Sequence, residues 1–176
     1  MKSRATGFSM IELMVALTIA VILLTLAVPS FRSVIQSQRM TTTVNEVFVA
    51  INLTRSEAIQ RGTRVDLVPA GDGTDWTKGW VVFIDGNGDQ RWQDGEQIVF
   101  KHGAAPDGMT IQFAFTDSSR QYLAYNGTGH SRTNTSSQTP QLGTMSFTLD
   151  KQVRRIKINF AGRPRVCNPA IDGQKC

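Results

Sequence analysis

Cysteine and histidine are scarce in this chain, with two of each among 176 residues. Two cysteines are too few for a disulfide-dense miniprotein or a four-cysteine zinc site. His102 and His130 stand alone, and no Ser–His or Cys–His spacing recurs that would build a nucleophilic triad. No glycine-rich loop opens a helix to cradle phosphate, and no internal repeat is visible. The residues therefore point away from an enzyme. Charged residues make up only 19% and hydrophobic residues 40%, a balance that excludes both a disordered chain and a multispan membrane protein. Basic charge is lacking over most of the length. Residues 8–149 carry ten basic and twelve acidic side chains, whereas residues 150–176 carry seven basic and two acidic. An anionic partner belongs at the end of the chain, or at the start where Lys2 and Arg4 lie.

One long apolar run is present. Phe8 to Val28 is broken only by Ser9, Glu12, Thr18 and Thr25. As a helix it would extend roughly 31 Å, enough for a hydrocarbon core. Lys2 and Arg4 ahead of it place the N-terminus in the cytoplasm and the remainder outside. The alternative is a cleaved secretory signal. Glu12 weighs against that, because a carboxylate inside an apolar span is costly and such residues usually have a task.

Beyond Pro29, which should kink or loosen the helix, Val44, Val47, Phe48, Ile51 and Ala58 make an apolar stripe at helical spacing, and Gly62 supplies a stop. The period then becomes that of strands: 64–68, 80–85, 97–101, 109–115, 121–125, 144–149 and 153–160, divided by Gly-, Asp- and Asn-rich turns. Asn126 to Gly143 reads as a long mobile loop. The fold class is α+β, a long N-terminal helix packed on antiparallel sheet. Arg64 and Asp66 alternate along a strand and read as surface residues.

Asp85, Asn87, Asp89, Gln93 and Glu96 occupy positions one, three, five, nine and twelve of a calcium-type loop. Position six is Gln90 where glycine is wanted, and the flanks are strands. A polar hairpin tip is the competing reading, and no cofactor is required.

The stretch Gly7-Phe8-Ser9-Met10-Ile11-Glu12-Leu13 resembles the processing site of type IV pilins and type II secretion pseudopilins. Leu53 to Gly62 and Trp76 to Asp85 resemble the helix end and following strand of minor pilins of the FimT/FimU group and the related minor pseudopilin H. The resemblance implies a leader, 1–7, cut by a prepilin peptidase between Gly7 and Phe8, with Phe8 then methylated. It implies a membrane half of the helix, 8–28, an amphipathic half, 29–62, and a periplasmic β-rich domain, 63–176. It also implies that Glu12 pairs with the ammonium of Phe8 in a neighbouring subunit during assembly with other major and minor pilins. Such a protein would cross the inner membrane once and become extracellular in a pilus, with a type II secretion system as the alternative setting.

In an oxidising compartment Cys167 and Cys176 should form a disulfide, a reactive or metal-binding thiol pair being the alternative. Along 153–160, Ile156, Ile158 and Phe160 share one parity and should face the core, while Arg155 and Lys157 share the other. Gly162-Arg163-Pro164-Arg165 follows, with Arg154 nearby. This segment resembles the DNA-contacting Gly-Arg-x-Arg of FimT-type pilins that act in natural transformation. The resemblance implies that Arg163, Arg165, Lys157, Arg155 and Arg154 contact double-stranded DNA. The competing reading is a sheet edge blunted by charge.

Overall fold

The computed structural model describes residues 9–136, 138–173 and 176, without the side chains of Leu26, Pro29 and Ser30. Helix α1, Met10–Arg61, runs without a break through position 29. It ends at Gly62, which takes φ +66° as a helix stop requires. The chain divides into two compact units, residues 1–38 and 39–176. The division falls inside α1 rather than at Gly62. The reason lies in the side chains: from Met40 onward the helix buries Met40, Val44, Val47, Ala50, Ile51 and Ala58 in the core of the second unit.

In the first unit the apolar side chains of α1 are exposed, Ile11, Leu17 and Leu24 among them. Phe8 and the side chain of Leu26 lie outside the described residues. Among the described residues no helix is long and apolar enough to cross a membrane.

The second unit holds two antiparallel sheets. Strands β1 (Val65–Pro69), β2 (Trp80–Phe83), β3 (Ile98–His102), β5 (Leu123–Tyr125) and β6 (Ser131–Arg132) form a five-stranded sheet in the order β3-β2-β1-β5-β6. Strands β4 (Met109–Phe115), β7 (Gly143–Leu149), β8 (Gln152–Ile158) and β9 (Pro164–Cys167) form a four-stranded sheet in the order β4-β7-β8-β9. One core joins α1 to both sheets, with Leu67, Trp80, Val82 and Leu123 from one and Met145, Phe147 and Ile156 from the other. A smaller cluster covers the opposite face of the five-stranded sheet through Val68, Val81, Phe83, Tyr122 and Ala124. Every residue of β1 and β2 is therefore buried. In β7 only alternate residues are buried, as in a sheet with one covered face.

Two expectations are corrected. Asn126 to Gly143 is not simply a loop: Ser131–Arg132 pairs with β5, and Ser131, Thr133 and Gln141 are buried. Gln141 bonds both the N–H and the carbonyl of Asp117, which orders the segment from outside. Phe160 is not core but 73% exposed, because β8 ends at Ile158 and the chain turns before the parity can continue.

Candidate functional site

The basic site is built on the β8–β9 hairpin. Its register sets Lys157 opposite Arg165, Ile158 opposite Pro164, Ile156 opposite Val166 and Arg155 opposite Cys167. Because faces alternate along a strand, Ile156 and Ile158 turn inward while Arg155, Lys157 and Arg165 share the outer face. Thr144 and Ser146 of β7 stand beside Lys157 and Arg155 on that face. The register thus brings two positive side chains into direct opposition on neighbouring strands. Arg155 also keeps its Nε–H buried with no acceptor among the described residues. Arg154 has the other parity, opposite Phe147, and its Nη1 donates to the Val153 carbonyl at 2.9 Å. The structure thus separates Arg154 from the cluster the sequence assigned it to.

The hairpin turn is rigidly bonded. The Asn159 Oδ1 accepts N–H bonds from Ala161 and Arg163, both at 3.0 Å. The Gly162 N–H donates to the Asn159 carbonyl at 2.9 Å and the Asn159 N–H to the Arg163 carbonyl at 3.3 Å. The Tyr125 hydroxyl donates to the Gly162 carbonyl at 2.6 Å. Burial pushes the Tyr125 hydroxyl above its ordinary range, so it stays a donor. Gly162 is required twice over: its φ is +72°, and a Cβ there would lie 2.7 Å from the Tyr125 ring. Arg163 is thereby carried on a fixed turn, exposed, one residue before β9.

Cys167 and Cys176 are joined by a disulfide, with Cα atoms 5.6 Å apart. Asp172 lies close to both sulfurs, but bonded sulfurs offer no thiolate to a metal. The loop also carries a short helix, α2, Pro169–Asp172, capped by the Asn168 side chain.

The calcium-type loop forms the β2–β3 connection, closed by the Ile84 N–H on the Gln97 carbonyl at 3.0 Å. Gln90 does take the left-handed conformation that position six demands, φ +61°. The carboxylates, however, are occupied by the loop's own backbone. Asp85 accepts N–H bonds from Gly88 and Gln90, and Glu96 from Gly86 and Gln93. Asn87 accepts from Asp89 and Asp89 from Arg91. Among the described residues Asp85, Asp89 and Glu96 do not converge on a common centre. The polar hairpin reading fits this geometry.

A buried charge network escaped the sequence reading. Asp66, where strand alternation predicts a surface position, is wholly buried on β1. Arg64 grips it with Nε and Nη2, each at 2.7 Å, and its Nη1 donates to Asn134 Oδ1 at 2.7 Å. Asp85 lies 3.5 Å from the same Nη2. Tyr122, beneath the guanidinium, donates to Asp117 at 2.6 Å and accepts the Asn134 N–H at 2.6 Å. Burial drives the Asp66 carboxyl up to about 7; Arg64 opposes this and Asp85 reinforces it. The only sequence signal was a carboxylate inside an otherwise apolar strand, Val65-Asp66-Leu67-Val68.

At the other end, Gly7 and Phe8 lie outside the described residues. The Glu12 N–H is capped by Ser9 Oγ at 3.2 Å. The Glu12 side chain is exposed, with no partner among the described residues.

A long N-terminal helix whose second half is seated on antiparallel sheet, with a disulfide-closed C-terminal loop, defines a pilin-like subunit. The family model described as type II transport protein GspH matches residues 43–162, and the chain belongs to that family. The prokaryotic N-terminal methylation motif matches residues 2–28. The fold is similar to crystal structures of the type IV minor pilin FimU of Pseudomonas aeruginosa. One form gives a TM-score of 0.56 at 17% identity over 76% of this chain and 92% of that one. A second gives 0.53 at 18% over 74% and 94%. The minor pseudopilin EpsH from the type 2 secretion system of Vibrio cholerae gives 0.52 at 15% over 74% and 98%. No curated protein matches.

Proposed function

We propose that this chain is a minor pilin of a type IV pilus that also contacts DNA through the outer face of β8–β9. The observation that carries the DNA reading is the pairing of Lys157 with Arg165 across the strands, between Arg155 and Arg163. Cations gathered on one solvent-facing surface attract a polyanion, and guanidinium forks suit phosphate. Contact through phosphates alone carries little sequence preference. The purified full-length chain in nonionic detergent should bind a duplex oligonucleotide at micromolar or weaker affinity. Neutralising two to four phosphates gives a log–log salt slope of roughly −2 to −4. Arg163→Gln with Arg165→Gln should remove most of the binding and flatten the slope, while Lys101→Gln with Arg91→Gln should change little. Equal binding by the first pair and wild type would reduce the site to a charged edge.

Assembly into the filament rests on the methylation motif. The peptidase would cut after Gly7, the inner membrane would hold the helix by a single pass, and Glu12 would meet the ammonium of a neighbour's Phe8. Mass spectrometry of the membrane-bound chain should find Phe8 as the methylated first residue, and any other start overturns this. The family description favours a second setting, a minor pseudopilin of a type II secretion system. Both settings share the processing and the fold.

A further inference from the structure

We propose that Phe160 is a base-stacking platform, so that single-stranded DNA is held more tightly by this hairpin than duplex; the inference rests on the DNA-contact reading above. Phe160 sits at the tip of the β8–β9 hairpin with 73% of its surface exposed. The turn that carries it is closed by four bonds between Asn159 and residues 161–163 and tied down by the Tyr125 hydroxyl. The ring is therefore presented on fixed backbone rather than on a frayed end. Arg163 lies on the same turn, and Lys157 and Arg165 begin the cationic row where the strands start. Phe160 lies in the Asn159–Gly162 turn, three residues from Lys157 on one side and three from Arg163 on the other, so ring and cations belong to one hairpin end.

An exposed aromatic ring at the end of a cationic track is the arrangement that binds single strands: phosphates follow the charges and a base covers the ring. A duplex keeps its bases stacked on each other and offers only its backbone. The apolar ring then contributes nothing except at a frayed end. Phosphate contacts explain the arginines, but they leave a large apolar side chain in water on a rigid turn. Stacking gives that side chain a role.

The test compares three fluorescent probes at ~50 mM salt on the full-length chain in nonionic detergent: a 20-mer of dT, an abasic 20-mer and a 20-bp hairpin duplex. Phe160→Ala should weaken dT binding by about 5- to 150-fold, the span of one lost stacking contact. Duplex and abasic binding should change by less than twofold, and the salt slope on dT should stay the same, since no phosphate contact is lost. Phe160→Trp should retain dT binding. Unchanged dT binding by Phe160→Ala, or equal losses on all three probes, overturns the stacking role and leaves the phosphate reading standing. Unchanged dT binding with poorer filament incorporation would assign the ring to a neighbouring subunit and equally overturn it. If the wild-type chain binds none of the three probes, the phosphate reading itself falls, and the stacking role with it.

Discussion

The two sheets handle charge in opposite ways. At its centre, in β1, β2 and β5, the five-stranded sheet is covered on both faces, and the carboxylates Asp66 of β1 and Asp85 just beyond β2 are buried around a single guanidinium, Arg64. The four-stranded sheet is covered on one face and turns Arg155, Lys157 and Arg165 outward together. Inside, Asp66 and Asp85 both lie within 3.5 Å of Arg64, and hydrogen bonds hold each carboxylate. Outside, like charges face like. The first arrangement serves the fold, since a buried charge without a partner is too costly to keep. The second gathers positive charge on one solvent-facing surface, where an anion can reach it.

The contrast breaks most visibly at Arg64. Arg64→Met would leave two buried carboxylates, Asp66 and Asp85, with no cation between them. Removing one partner of a buried pair costs about 3–5 kcal/mol. For a domain of this size that is a fall in thermal midpoint of roughly 10 °C. Thermal melts of the full-length chain followed by circular dichroism at pH 7.5 would measure it. A loss under about 1 kcal/mol would mean that water reaching the partly exposed guanidinium already screens the cluster.

The same cluster predicts a pH dependence. Burial raises the Asp66 carboxyl to about 7 from an unfolded value near 4. A raised pKa favours the folded state where the group is protonated. Its contribution is therefore complete below about pH 4 and declines as pH rises toward 7, after which it is flat. The size is of the order of a few kcal/mol. Asp66→Asn, neutral throughout, should show a flatter midpoint between pH 4.5 and 7.5 than wild type. Parallel curves would show that the carboxyl stays ionised against Arg64 across the range.

How much of this was legible in the sequence follows from which forces are local. Alternation placed β4 at Met109–Phe115 and the helical stripe at Val44, Val47 and Ile51, because period and burial are properties of neighbouring residues. The hairpin at 85–97 was legible from its turn residues. Asp66 was not, because its partners come from positions 64, 85, 122 and 134, which meet only once the strands are paired. Asn126 to Gly143 looked mobile by composition, yet Gln141 and Tyr122 order it through bonds to Asp117 and Asn134. In the basic site, the outward parity of Arg155 and Lys157 was read correctly. The assignment of Phe160 to the core failed because a rule for strands was carried two residues past the last strand residue.

The smallest effect is the most telling about the outer face. Lys157 and Arg165 stand directly opposite across β8–β9, where side chains on neighbouring strands approach within about 5 Å. If neither holds the fold, Lys157→Gln should leave the midpoint unchanged or raise it by a few tenths of a kcal/mol, the scale of a relieved cross-strand repulsion. The gain should be greatest at low salt and vanish near 1 M, where the screening length drops to about 3 Å. Melts of wild type and variant at 20 mM and 1 M salt, at one pH, would resolve it. A loss above about 1 kcal/mol would show that the lysine stem packs on Thr144 and contributes to stability, as long basic side chains often do on a sheet surface. A gain at low salt alone would identify the row as charge the fold carries at a cost.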